Sequence, residues 1–154
     1  MNQATSIAST TDRPLQFPGV LGRVQHVNLD SLVRSRIQAS SDLQEAAACL
    51  RLLMSGGFAV WEDGRLIETR VLVERIDRLK IVIHTREHGP PHFHVSAPGL
   101  DAAFSIERCE LLFGAVNGKE RRLIEYWYKD ARPLLIRTWN ATRSTDCPVG
   151  PIEE

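Results

Sequence analysis

The chain has no CxxC pair, no excess of charge and no long apolar run. Its three cysteines, Cys49, Cys109 and Cys147, are far apart and odd in number. That spacing excludes a zinc ribbon or a dithiol redox motif and suits a reducing cytosol. Nineteen basic and nineteen acidic residues cancel, so no global field draws the protein to nucleic acid or anionic lipid. A local basic patch remains allowed, with Arg as the favoured cation. No apolar stretch approaches the roughly 20 residues that span a bilayer. The opening MNQATSIASTTDRP lacks the basic and apolar regions of a secretory signal. A soluble, cytoplasmic protein with no membrane partner is expected. What is present is a 43% hydrophobic fraction in 154 residues, enough for one cored domain with a small extension.

Along the chain, residues 1–19 are rich in Ser and Thr, with Pro14 and Pro18, and read as a flexible tail. Val20, Val24 and Val27 suit a short strand, and Asp30 can cap a short helix through Ile37. The spacing predicts a clear helix over 41–55. Ser41 and Gln44 form a capping-box pattern, and Leu43, Ala46, Ala47, Leu50, Leu53 and Met54 follow helical periodicity. Gly56-Gly57 ends it, and Cys49 reads as a small buried thiol. In FAVWEDGRLIETRVLVERI, Asp63-Gly64 between apolar stretches predicts a two-residue hairpin. A winged-helix wing, with Arg65 and Arg70 near DNA, is the weaker reading of that hairpin.

Residues 79–107 read as three antiparallel strands, LKIVIHT, HFHVS and DAAFSIE. Gly114 and Asn117-Gly118 mark a loop. Helical spacing resumes from Lys119 through Leu123, Trp127 and Ala131. Asp130, with Pro133 three residues on, reads as the cap of a second helix carrying Leu134, Leu135 and Trp139. From Arg143 on, the chain reads as a polar tail.

Four of the five histidines fall within HTREHGPPHFHVS, residues 84–96. Alternate side chains of a strand point to opposite faces. Leu79, Ile81 and Ile83 then form a core face, as do Phe93 with Val95 and Ala102 with Phe104 and Ile106. The opposite face receives Lys80, Val82, His84, His92, His94, Asp101, Ala103, Ser105 and Glu107. Paired imidazoles on a strand can grip a divalent metal with a third group, from His88, Glu107 or Asp101. The same pair can work without metal, one ring taking a proton while the other gives one, as in RNA cleavage through the 2′-hydroxyl. Arg86 is then the phosphate clamp. The plainer alternative is a solvated face whose histidines only pack and brace a rigid Gly-Pro-Pro turn.

At Ile81–His84, His88 and the run Pro90, Pro91, His92, Phe93, His94, Val95, the chain resembles a family of small bacterial proteins catalogued as domain of unknown function 4160. Ala102–Ile106 and Leu123–Trp139 match more loosely. The likeness covers roughly residues 77–141 and leaves residues 1–76 as an extension. It implies a place in a two-gene module of toxin–antitoxin type, with a partner protein.

The expected fold is α+β: a three-stranded antiparallel meander on two C-terminal helices, with an N-terminal helix plus β-hairpin extension. The expected segments are a tail (1–19), the extension (20–76), the HxPPHFHV domain (77–143) and a C-terminal tail (144–154). The expected function is that of a toxin-like or defence-module protein acting on RNA or DNA. His92, His94 and His84 would be catalytic and Arg86 would bind phosphate. His88, His92, His94 and Glu107 would hold metal in the alternative use of the face. The other function class is a non-catalytic, protein- or DNA-binding regulatory module.

Overall fold

A computed structural model describes residues 28–69, 78–84, 89–143 and 148–153. The readings placed on Val20, Val24, Val27, Arg70, Arg86, His88, Cys147 and the N-terminal tail lie outside these residues.

Helix α1 spans Leu29–Gln38. Asn28, not Asp30, caps it, accepting from the Asp30 amide, which satisfies a donor the first turn leaves unpaired. Val33 and Ile37, one turn apart, are its buried residues. Helix α2 spans Leu43–Met54 and is capped by Asp42, whose carboxylate accepts from the Glu45 amide. Glu45 returns the bond to the Ser41 amide and hydroxyl. The capping signal therefore lies one residue further along than the Ser41–Gln44 reading, at a position where an acidic residue also suits the helix dipole. The predicted face of Ala46, Ala47, Leu50, Leu53 and Met54 is buried, together with Cys49.

Strands β1 (Phe58–Val60) and β2 (Leu66–Glu68) form the hairpin, paired from Phe58↔Glu68 to Val60↔Leu66. The Trp61 amide donates to the Arg65 carbonyl and the Gly64 amide to the Trp61 carbonyl. Glu62, Asp63 and Gly64 thus make a three-residue loop rather than a two-residue one, with Gly64 at φ +85°, the left-handed position such loops need. Arg65 is paired with Asp63 inside the loop, Nε to Oδ2 at 2.7 Å.

The second sheet is a four-stranded antiparallel meander, β3 (Lys80–Val82), β4 (His92–Ala97), β5 (Leu100–Ser105) and β6 (Leu111–Gly114), in that order. The expected three-stranded meander is corrected by β6, which pairs with β5 at Ala102↔Gly114, Ala103↔Phe113 and Phe104↔Leu111, with an irregularity between Ala103 and Phe104. Both strand ends at this edge turn sharply. Ser105 accepts from Cys109 through its carbonyl and from the Arg108 and Glu110 amides through Oγ. Gly114 has φ +82°, and a Cβ there would stand 2.0 Å from the Asp101 carbonyl oxygen.

The two expected C-terminal helices are one, α3, Gly118–Thr142. Asn117 and Glu120 form a reciprocal capping box at its start. Asp130 is not a cap: it is buried inside the helix and accepts from Arg34 Nε at 2.9 Å and Gln38 Nε2 at 2.6 Å. That bond to Asp130 holds the Arg34 guanidinium above its ordinary pKa. Pro133 lies on the exposed side, so its missing N–H costs one helical bond without clashing with the core. The helix persists because its apolar stripe is continuous across the proline. Trp127, Ala131, Leu135 and Trp139 are fully buried, and Leu134 nearly so.

α3 is the spine of the core. On one side Trp127 and Tyr128 stack near Phe93 of β4, at 5.8 and 6.3 Å between ring centres, and Phe93 stacks on Phe104 at 5.8 Å. On the other, Trp127 Nε1 donates to the Ala46 carbonyl of α2, and the Tyr126 hydroxyl to Asp30 of α1. Asp30 also accepts from the Leu66 amide, tying α1, the hairpin and α3 together. The described part of the C-terminal segment is not a solvated tail. Val149 and Ile152 pack on the core, and Asn140 pairs with the Ile152 backbone in both directions. Among the described residues no helix is long and apolar enough to cross a membrane.

Candidate functional site

The helices cover one face of the four-stranded sheet. Leu79, Ile81, Ile83, Phe93, Val95, Ala102, Phe104 and Ile106 are all buried, which is the core parity read from the sequence. Directly opposed residues of an antiparallel pair share a face. The other face therefore carries one row of Lys80, Ser96 and Asp101 and a second of Val82, His94, Ala103 and Phe113. His92 stands opposite Ser105 in a third. His84 follows Val82 by two residues and keeps its parity.

The structure brings three of the predicted histidines together. The His84 and His94 rings are 4.7 Å apart between centres and nearly perpendicular, at 76°. Those of His92 and His94 are 5.0 Å apart and tilted by 60°. His94 is thus the middle ring of the cluster. His92 and His94 are partly exposed and His84 is exposed, so the cluster opens to solvent. His92 Nδ1 lies 2.8 Å from the Pro90 carbonyl oxygen. A carbonyl only accepts, so Nδ1 carries the hydrogen, and the neutral ring presents its lone pair at Nε2.

Glu107 is not part of this cluster. It falls beyond β5, in the turn before β6. Its carboxylate lies 3.7 Å from Arg108 Nε, and its carbonyl accepts from Tyr128. Among the described residues no group of three His, Cys, Asp or Glu side chains is placed to hold a metal ion. Ala103 and Ser105 have the expected parity but are buried. Ala103 is a small side chain between His94 and Phe113, and Ser105 Oγ is folded into the turn that follows it.

Sequence reasoning missed three neighbours of the cluster. Trp139 is fully buried, as expected of a core residue, yet its ring lies 6.5 Å from His92. Its indole N–H donates to the Gly150 carbonyl. The Arg143 guanidinium lies 3.5 Å from the centre of the Trp139 ring and donates to the backbone carbonyls of Trp139 and His84. Trp139 and Arg143 are four residues apart, a spacing that brings side chains together on a helix, so this cation–π pair was open to reading. The third, Phe113, is 65% exposed on the histidine face. Nothing in the local pattern of Leu111–Gly114 marks it.

Three close imidazoles on an open face set proton donors and acceptors side by side. Arg143 sets a fixed positive charge at the edge where His84 leaves β3, suited to an anionic group. The fold and site thus define a class: an antiparallel sheet, helix-packed on one side and histidine-lined on the other. The profile of a family described as Domain of unknown function (DUF4160) matches residues 78–140. The match runs from β3 through most of α3. No curated protein and no solved structure matches the chain.

Proposed function

We propose that the histidine face cleaves RNA by metal-independent acid–base catalysis, as the effector of a two-gene toxin–antitoxin or defence module in the cytoplasm. The observation that carries this reading is the row of three contacting imidazoles, with the His92 tautomer set by the Pro90 carbonyl. In the reaction His92 Nε2 takes the proton of a ribose 2′-hydroxyl. That oxygen attacks the adjacent phosphorus, and the P–O5′ bond breaks. His94, protonated, gives its proton to the departing 5′-oxygen, leaving a 2′,3′-cyclic phosphate. His84 supports His94, and Arg86 and Arg143 bear on the phosphate charge.

The second reading is a non-catalytic module that binds a protein or DNA. Zero net charge and the exposed Phe113 on the same face favour it. One experiment separates the two. Purified protein is incubated in chelator with an RNA oligonucleotide and with its 2′-deoxy counterpart. Cleavage of the RNA alone, lowered about 100-fold or more in the His92→Ala and His94→Ala variants, is the expected result. Equal cleavage of both oligonucleotides, or undiminished RNA cleavage by the double variant, overturns the mechanism. Binding without cleavage selects the second reading.

A further inference from the structure

Away from the histidine row, the hairpin loop and α3 enclose a groove of about 340 Å3. Trp61 and Glu62 come from the hairpin, and Arg122, Glu125, Tyr126 and Lys129 from a single stripe of α3 at the i, i+3, i+4, i+7 spacing of one helix face. No lining residue belongs to the histidine cluster. Its volume is that of a small-molecule site at the lower end of the usual range.

Two features of this groove have no structural use in the fold. Trp61 is 57% exposed, whereas Trp127 and Trp139, the other two tryptophans, are fully buried. Its backbone is fixed on both sides, by the Trp61 amide on Arg65 and the Gly64 amide on Trp61. A rigid loop therefore holds a large apolar ring out in water, where burial would have been favourable. The second feature is charge. Glu125 is neutralised by Arg121, at 2.8 Å from Nε. Arg122 and Lys129 make no hydrogen bond or ion pair among the described residues. Among the described lining residues Glu62 is the remaining carboxylate, so two cations stand there against one anion.

We propose that this groove is a binding site for a nucleoside monophosphate. The base would stack on Trp61, since any base offers a π-face and such stacking is tolerant of sequence. Arg122 and Lys129 would take the phosphate, Arg through its planar fork and Lys as a point charge. An uncharged aromatic ligand would leave both cations unused, and inorganic phosphate would leave the indole bare. The chemistry that satisfies all three is a planar ring joined to a phosphate. The volume suits one nucleotide. The site does not depend on the histidine face being catalytic.

Trp61 is also the reporter, because the other two tryptophans are shielded from solvent. Full-length protein is titrated with AMP, adenosine and inorganic phosphate, followed by tryptophan fluorescence and by calorimetry. AMP is expected to quench saturably and to bind more tightly than adenosine or phosphate alone. Arg122→Ala and Lys129→Ala should each weaken AMP by about tenfold, the loss of one charge-assisted contact. Trp61→Phe should retain most of the affinity by calorimetry, and Trp61→Ala should lose it. These positions are exposed, so the variants keep the fold, and circular dichroism checks this. The His92→Ala/His94→Ala protein should bind AMP unchanged. Absence of saturable binding, unaltered affinity in the Arg122→Ala/Lys129→Ala double variant, or loss of AMP binding in the histidine variant overturns the assignment.

Discussion

Three glycine-to-alanine substitutions give a graded test of strand β6, the element that defines the open edge of the histidine face. At Gly114 φ is +82°, and an added Cβ would lie 2.0 Å from the Asp101 carbonyl oxygen and 2.9 Å from the Ala102 Cα. Both neighbours are backbone on the paired strand, so neither can swing aside. The left-handed conformation costs an L-residue about 1–2 kcal/mol. Forcing a methyl group into packed backbone adds about 1–3 kcal/mol more. The expected loss for Gly114→Ala is therefore about 2–5 kcal/mol, a large fraction of the stability of a small domain.

Gly99, in the β4–β5 turn, isolates the first contribution. Its φ is +78° but an added Cβ would meet nothing within 4 Å, so Gly99→Ala should cost only about 1–2 kcal/mol. Gly118, the first residue of α3, isolates neither: its φ is not positive and its Cβ direction is open. Gly118→Ala should stabilise by about 0.5 kcal/mol, through helix propensity and a less flexible unfolded chain. Urea unfolding of the three variants at a common temperature measures the series. Should Gly114→Ala cost no more than Gly99→Ala, β6 does not approach Asp101 and Ala102 as described, and the placement of Phe113 on the histidine face falls with it.

Two further outcomes concern the core. Burial pushes the Cys109 thiol from 9.0 up to about 12, with Glu125 adding to the rise and Arg121 opposing it, and burial also raises Tyr126 and Tyr128. All three groups hold their protons more tightly folded than unfolded, so the stability each contributes is complete below its unfolded value, 9.0 for Cys109 and 10.0 for the tyrosines, and is lost as pH rises above it. Stability from urea unfolding should fall between about pH 9 and about pH 11, by up to about 1.4 kcal/mol per pH unit for each group once the pH is above its unfolded value; a flat or rising stability would contradict the burial of these groups. Pro133→Ala should stabilise α3 by about 1–2 kcal/mol, the restored helical bond less the entropy that proline removes from the unfolded chain. A loss of thermal stability would instead show that α3 needs the proline to fit the sheet.

Local pattern was readable where the chemistry is local. Alternation in HFHV is strict and LKIVI departs from it only at Val82, so one rule places His92, His94 and His84 on the face away from Phe93 and Ile81. The errors arose where the deciding partner is far along the chain. Asp130 three residues before a proline resembles a helix cap, and only Arg34 and Gln38, 96 and 92 residues away, make it a buried acceptor within a helix. Leu111–Gly114 shows no alternation and has Leu112 and Phe113 exposed on its two faces, so nothing in its pattern marks a strand. Its pairing comes from β5 and from the Ser105 turn. Glu107 was carried onto the histidine face by extending parity two residues past the end of β5, where the chain has already turned.

The histidine row depends on the side of the sheet it does not face. His92 and His94 sit on β4, hydrogen-bonded on both sides, and the core packing of Phe93 fixes the strand between them. His84 has no such support from strand pairing, because β3 ends at Val82. Its carbonyl is instead held by Arg143, which is itself stacked on Trp139 and bonded to the Trp139 carbonyl. The same helix that buries Trp127 against Phe93 thus ends by anchoring the third imidazole. Close by, Val149 lies against Gly89 of the Gly-Pro-Pro turn, where an added Cβ would be 3.2 Å from its Cγ2. The family match ends at residue 140, before Arg143 and Val149. The rings therefore lie in the segment the family profile matches, while the Arg143 contact that holds His84 comes from beyond it.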